Sequence, residues 1–299
     1  MVFRWATFCS AALVLVLLAG VLISLVYGAW PALSTFRFDF LTTQIWNPVT
    51  EKFGALAPIY GTVVTSIIAM LIAIPIAFGI AVFLTETCPR WLRTPIGIAI
   101  ELLAAIPSIV FGIWGLFILA PILQLHVQPW LIEHVGPWPI IGVLFQGTPY
   151  GIGLLTAGIV LAIMVLPFIA AVMREVFLVT PTSIKEAAYG VGATQWEVVW
   201  DVVLPWSRTG VIGGIMLGLG RALGETMAVT FVIGNTNRIT TSLFGPGNTI
   251  ASLVALEFPE SENGSLKLAS LLALGFLLFV ISFIVLAISR LLVRTRVPA

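Results

Sequence analysis

Charge is what this 299-residue sequence has least of: Asp, Glu, Lys and Arg make up 9% of it, against roughly 25% in soluble domains. So few charges cannot cover a globule with polar groups, so lipid is the expected solvent for most of the chain. A formal net charge of +1 offers no surplus of one sign to recruit nucleic acid or an acidic partner. Cys9 and Cys88 are too few and too scattered for a disulfide framework. The lysines are Lys52, Lys185 and Lys267, and none stands in a G-x-x-x-x-G-K-[ST] phosphate loop. The chain is therefore not expected to hydrolyse ATP by that route. Neither H-E-x-x-H nor G-x-S-x-G occurs, which leaves no constellation for an intramembrane enzyme. No internal repeat and no low-complexity stretch is evident.

Apolar residues fill the space left by charge, at 60% of the chain and a mean hydropathy of +1.12. Six runs reach the ~20 residues that span a bilayer: Ala6–Val26, Ile59–Leu84, Ile96–Leu119, Gly151–Met173, Thr209–Gly234 and Leu266–Leu292. The expected fold class is an all-α integral membrane protein with six transmembrane helices. The first run is longer than the apolar core of a signal peptide and no A-x-A site follows it, so it reads as a retained membrane helix. Pro75, Pro107 and Pro167 lie inside three runs, which membrane helices tolerate when neighbours satisfy the freed backbone.

Basic residues orient the chain. Arg4, Arg90, Arg93, Arg174, Lys185, Arg208, Arg290, Arg294 and Arg296 gather on one side; Arg37, Lys52, Arg238 and Lys267 lie on the other. The richer side is expected to be cytoplasmic, with both termini there. Cys9 and Cys88 fall on that reducing side, where free thiols are expected. The outer loops are then Gly28–Pro58, Gln124–Tyr150 and Asn235–Ser265. Trp30, Trp46, Trp130 and Trp138 in these loops suit the interfacial aromatic belt. His126 and His134 lie in the second loop near Glu133. That spacing is poor for a metal, and a solvated loop is the better reading.

One cytoplasmic stretch, Glu186–Pro205, is polar and twice interrupted. Ser183-x-x-Glu186 and Thr194-x-x-Glu197 each have the form of a capping box at a helix start. Gly190 and Gly192 allow a turn between them, and Pro205 is expected to end the second helix. Two short helices at an angle should present small residues (Ala187, Ala188, Gly190, Gly192, Ala193) at the bend. Two readings stand level: an amphipathic loop on the membrane surface, with Trp196, Trp200 and Trp206 in the interface, or a docking element for another subunit.

The spacing Glu186-Ala187-Ala188, Gly192, Val202, Leu204-Pro205 resembles the EAA motif of ABC-importer permeases, with Val202 where isoleucine is usual. The resemblance implies that Glu186, Ala187, Ala188, Gly192, Leu204 and Pro205 belong to coupling helices at 182–205 that dock on a separate ATPase. It also implies that the chain itself binds no cofactor, ATP and Mg being used by that partner.

The fifth run carries two charges where charge is expensive. Arg221 lies about halfway along it, and Glu225 follows one helical turn later, which is expected to place both on one face. Each ionised group at the bilayer centre costs roughly 2.5–3.5 kcal/mol on insertion scales. The pair is either a structural lock between helices or the lining of an anion path. In the second case Arg221 grips the anion through its planar fork, and Glu225 holds Arg221 extended and offsets its charge. Gly210, Gly214 and Gly218, with Gly220 and Gly224, read as small-residue helix packing. Glu101 near the end of the third run either pairs with a basic residue or, as preferred, reaches the interface. Ser108, after Pro107, either lines a polar path or repairs the broken backbone locally.

The wording of four stretches, Phe53–Ser66 (FGALAPIYGTVVTS), Glu101–Phe117 (ELLAAIPSIVFGIWGLF), Leu166–Pro181 (LPFIAAVMREVFLVTP) and Gly218–Asn235 (GLGRALGETMAVTFVIGN), resembles phosphate-importer permeases of the PstC type. Thr226 is followed by Met227-Ala228-Val229, which separates this type from its sister permease. The resemblance implies the type I ABC-importer architecture and transport of inorganic phosphate. It places Arg221 and Glu225 in the translocation path, to which Thr226 and Ser108 are added as candidate path residues. It further implies a heterodimer with a PstA-type permease, two ATPase subunits inside, a phosphate-binding protein outside, and a place in the bacterial inner membrane. On this reading 1–57 hold the first helix and an outer loop, 58–292 form the permease core, and 293–299 are a cytoplasmic tail. Rival readings are the same machine with another oxyanion or an amino acid as cargo, or a secondary transporter without an ATPase.

Overall fold

The computed structural model describes residues 2–294, so Arg296 and most of the expected tail 293–299 lie outside the described residues. Ten helices are labelled here. Helix α1 spans Val2–Phe36. Helix α2 spans Leu56–Thr87, with its last residues, Phe83–Thr87, in a π-turn. Helix α3 spans Arg90–Ala104 and α4 spans Ser108–His134. Helix α5 is Leu154–Leu178, α6 is Thr182–Gly190, α7 is Gln195–Gly224 and α8 is Met227–Val232. Helix α9 is Ile250–Glu257 and α10 is Leu266–Arg294. Among the described residues six helices (α1, α2, α4, α5, α7 and α10) are long and apolar enough to cross a membrane. Among the described residues the one β element is a two-residue antiparallel ribbon, Trp46–Asn47 against Lys52–Phe53.

Close backbone approach builds the core. On α2 every fourth residue is small and buried: Ala57, Gly61, Thr65, Ala69, Ala73, Ala77 and Ala81. Without bulk on that face, α2 and α5 pack along their lengths. Hydrophobicity drives no association inside lipid, so van der Waals contact of this kind holds the helices together. The hydroxyls of Thr62 and Thr65 return to their own helix, Thr62 donating to the Pro58 carbonyl and Thr65 to that of Gly61, each at 2.8 Å. Helix α7 joins the same core through Gly214 and Gly218. A Cβ there would lie 2.9 Å from the Val172 side chain and 2.5 Å from that of Ile169. Gly210 faces Val176 in the same way, so this part of the expected glycine stripe packs on α5. Gly220 and Gly224 do not, and the space beside them is open. A second cluster joins Ala29 and Ala32 of α1, Phe40, Phe53 and Ala55 to Ile250 and Leu253 of α9 and Leu271 and Leu274 of α10.

The expected boundaries move in three places. Helix α1 runs on to Phe36 through Pro31, taking in the start of the loop expected from Gly28. The third expected span, Ile96–Leu119, is two helices broken at Ala105–Pro107, and the second continues to His134. The proline ring and its missing N–H stop the helix there. Pro75 and Pro167, packed inside α2 and α5, stop nothing. The fifth span, expected at Thr209–Gly234, begins at Gln195 and ends at Gly224.

The segment expected as the loop Asn235–Ser265 is largely built into the Leu154 end of the bundle. The N–H groups of Leu154 and Leu155, which have no partner within their helix, donate to the carbonyls of Gly245 (3.2 Å) and Leu243 (2.8 Å). The Ile250 N–H at the start of α9 donates to Thr62 Oγ1 at 2.9 Å. Gly61 lies so close to this segment that an added Cβ would collide with the Asn248 carbonyl oxygen. Gly61→Ala is therefore expected to cost about 1–3 kcal/mol by overpacking and to lower the melting temperature of the detergent-purified protein. Gly79→Ala on the same helix, with open space beside it, should leave that temperature unchanged or raise it. Equal melting temperatures for the two variants would contradict this packing.

Candidate functional site

Two regions hold the residues singled out above. The first lies at mid-span. Packing of Gly214 and Gly218 on α5 carries Arg221 to Phe168, near the middle of α5, where the guanidinium sits 5.6 Å from the ring centre. Three residues later α7 ends. Glu225 is extended (φ −69°, ψ 127°), so Arg221 and Glu225 do not share a helical face as expected. The glycine-rich end of α7 (Gly218, Gly220, Gly224) has low helix propensity, which favours the stop. The Glu225 carboxylate accepts the Ala228 N–H at 3.3 Å. It makes no ion pair with Arg221: the ion pairs among the described residues join Arg174 to Glu101 and Glu175, Lys185 to Glu86, and Lys267 to Glu257. Glu225 therefore does not hold Arg221 extended. The Nε of Arg221 is buried with no hydrogen-bond partner.

Ser108 stands beside this break. A Cβ on Gly112 would meet Ala228, and one on Gly115 would meet Val232. The two segments thus run in the same direction, and one turn back from Gly112 brings Ser108 level with Glu225. The break before α4 and the break after α7 lie side by side. The Ser108 hydroxyl makes no capping hydrogen bond at this helix start among the described residues, so it does not repair it. Thr226 donates to the Gly224 carbonyl at 3.3 Å, and its own carbonyl accepts the Thr230 hydroxyl at 2.7 Å. These contacts satisfy part of the backbone that the break frees.

The second region is the connection from α5 to α7. Helix α6 starts at Thr182 behind Pro181, and the Ser183 hydroxyl caps nothing, so the first expected capping box is not formed. Proline already sets the chain direction at the N-cap position. The second box is present: the Glu197 N–H donates to Thr194 Oγ1 at 3.3 Å, and the Thr194 N–H to Glu197 Oε2 at 2.7 Å. Between them Gly192 has φ +95°. Its N–H donates to the Tyr189 carbonyl and that of Ala193 to the Ala188 carbonyl, at 3.0 and 3.1 Å. That pair of bonds is a Schellman cap, and it needs the left-handed residue that glycine supplies. Pro205 does not end the second helix. A π-turn at Val198–Val203 precedes it and the helix runs on to Gly224, because the widened turn accommodates the ring and the missing N–H.

Glu186 and Ala187 are exposed, and Ala188 rests half-buried on the core. Gly192 has open space beside it, and Val191 at the corner is 87% exposed. Leu204 is half-buried and Pro205 exposed. Beneath α6, Lys185 Nζ meets Glu86 Oε1 at 2.5 Å. Burial, and secondarily the Glu86 charge, raises the pKa of the neighbouring Tyr189 phenol above its ordinary value. Sequence reasoning did not single out Glu86 or pair it with Lys185. The only local signal was a carboxylate at the end of an apolar run.

Two other expectations change. Glu101 is 54% exposed at its side chain, and it pairs with Arg174 at 3.2 Å instead of simply reaching the interface. His126 and His134 lie on α4 and not in a loop, and the His134 ring stacks on Trp130. No group of three potential metal ligands occurs among the described residues.

Residues 73–297 match the family described as the binding-protein-dependent transport system inner membrane component. The phosphate transport system permease protein PstC of Mesorhizobium japonicum is 62% identical over 97% of this chain and 88% of its own length. That of Pasteurella multocida is 58% identical over 98% and 91%. The chain belongs to the PstC family of permeases. Its fold matches a chain of a bacterial ABC transporter involved in import of the acidic polysaccharide alginate, with a TM-score of 0.58 at 14% identity over 98% and 99% of the two chains. The architecture is that of a type I ABC-importer permease.

Loss of the Thr194 cap should cost about 1 kcal/mol and speed amide hydrogen exchange across 194–198. Ser183→Ala, which removes no cap, should leave exchange across α6 unchanged. Equal acceleration in both variants would contradict the assignment of the two helix starts.

Proposed function

We propose that this chain is the membrane permease subunit of an ATP-driven, binding-protein-dependent importer of inorganic phosphate, working by alternating access. The observation that carries the anion path is Arg221: a guanidinium at mid-span, with a buried Nε and no carboxylate partner, beside two helix breaks. An unpaired charge at that depth costs roughly 2.5–3.5 kcal/mol. An anion passing beside it offsets that cost transiently, and its planar fork suits tetrahedral oxyanions. Ser108 and Thr226 add hydroxyls at the same level. Glu225 spends one carboxylate oxygen on the Ala228 N–H. The other is an acceptor for the proton that phosphate carries near neutral pH and sulfate does not. The relatives' role in phosphate transport supports this cargo over other oxyanions and amino acids, and supports an ATP-driven machine over a secondary transporter.

On this reading the end of the bundle that holds Leu178 and α6 faces the cytoplasm of a bacterial inner membrane. The excess of Lys and Arg on that side supports placing both termini there. The segment at Glu186, Ala187, Ala188, Gly192, Leu204 and Pro205 docks one of two ATPase subunits, which use the ATP and Mg. The open sides of Gly220 and Gly224 face a PstA-type sister permease across the path, and a phosphate-binding protein docks on the opposite face. ATP-driven closure of the ATPases moves the docked segments and alternates access to Arg221.

Arg221→Ala should abolish phosphate uptake while the complex still assembles. Arg221→Lys should keep only a small fraction, because an ammonium supplies charge without the fork. Uptake by reconstituted vesicles is the measurement, and normal import by the alanine variant would sink the anion-path role.

A further inference from the structure

We propose that the ion pair between Glu86 and Lys185 is the strut through which movement of α6 enters the membrane-spanning core; this rests on the reading of α6 as an ATPase-docking helix. Apart from this pair, among the described residues α6 lies only against the π-turn Val198–Val203 of α7, the segment that the turn at Gly192 joins it to, and against a small part of the core. None of its side chains is fully buried, and Ala188 makes only a small apolar contact with the core. Among the described residues, the Lys185–Glu86 pair is the only ion pair or hydrogen bond made by an α6 side chain. The covalent links at its two ends are a corner at Pro181 and a left-handed turn at Gly192, about which a helix can pivot. A fixed third point removes that pivot.

The pair is suited to be that point. The two side chains are only 16% and 9% exposed, and their charged atoms meet at 2.5 Å. Separating them strands a charge away from water, so the pair is costly to break once formed. Glu86 stands in the π-turn that ends α2. The same turn is also held by Arg93 of α3, whose Nη2 donates to the Thr85 carbonyl at 2.8 Å. Helix α2 in turn packs along α5 through its small-residue face. A displacement of α6 therefore moves Glu86, and with it α2 and α3, without passing through the turn at Gly192. Glu86 and Lys185 are positioning residues: they touch neither nucleotide nor cargo, and they transmit.

The test is the number of phosphate ions imported per ATP hydrolysed, measured on the complex reconstituted with its ATPases and loaded binding protein. Glu86→Gln and Lys185→Met should each lower this ratio about fivefold or more while the ATPases still co-purify. The charge swap Glu86→Lys/Lys185→Glu should restore most of it. If the single variants fail to assemble, a swap that assembles and couples still supports the strut. A wild-type ratio in both single variants overturns it, as does a swap that assembles without recovering the ratio. Failure of all three to assemble would make the pair purely structural and overturn it too. A wild-type complex without phosphate-stimulated ATP hydrolysis would overturn the functional reading itself, and the strut with it.

Discussion

The close approach of α2, α5 and α7 is the constraint on which the rest depends. Helices in lipid gain nothing from hiding apolar surface from one another, so they must gain from contact. Here contact comes from removing side chains: a small residue at every fourth position of α2, and glycines on α7 that admit Val176, Val172 and Ile169 of α5. This packing sets the depth of Arg221 against Phe168. It leaves Pro75 and Pro167 inside unbroken helices, and it fixes α5 as the post from which α6 hangs.

Helix α4 carries two π-stretches of its own, Gly115–Leu119 and Leu123–Val127, but the outright breaks at membrane depth and the corner at α6 coincide with the candidate function. Backbone that leaves a helix at membrane depth needs other partners. The break at Ala105–Pro107 and the break at Glu225–Thr226 sit at one level, where hydroxyls, a carboxylate and an unpaired guanidinium gather. At the α6 end the irregularities are a Schellman turn, a capping box and two π-turns. They turn the chain out of the core to make an exposed corner, yet they tie it back through Glu86.

The architecture was legible because lipid solvation writes itself into composition: six apolar runs and sparse charge gave the class, and the EAA spacing with the PstC-like wording gave the family. Helix ends were less legible. Hydropathy is blind to where a helix stops inside lipid, so Ile96–Leu119 read as one span across Pro107, and Thr209–Gly234 read across Gly224 and Glu225. The i,i+4 pairing of Arg221 with Glu225 fell with that second boundary. Ser183 and Thr194 carry the same motif, but Pro181 pre-empts the first. Glu86 and Lys185 are 99 residues apart, and a contact at that separation leaves no local pattern.

The most direct test of the central claim is ATP hydrolysis by the complex purified with its native partners and reconstituted in lipid. The binding protein would be added with phosphate, sulfate or molybdate in turn. Stimulation by phosphate alone is the predicted result. Stimulation by another of these anions would contradict the cargo, and the absence of any co-purifying ATPase would contradict the docking role of Glu186–Pro205.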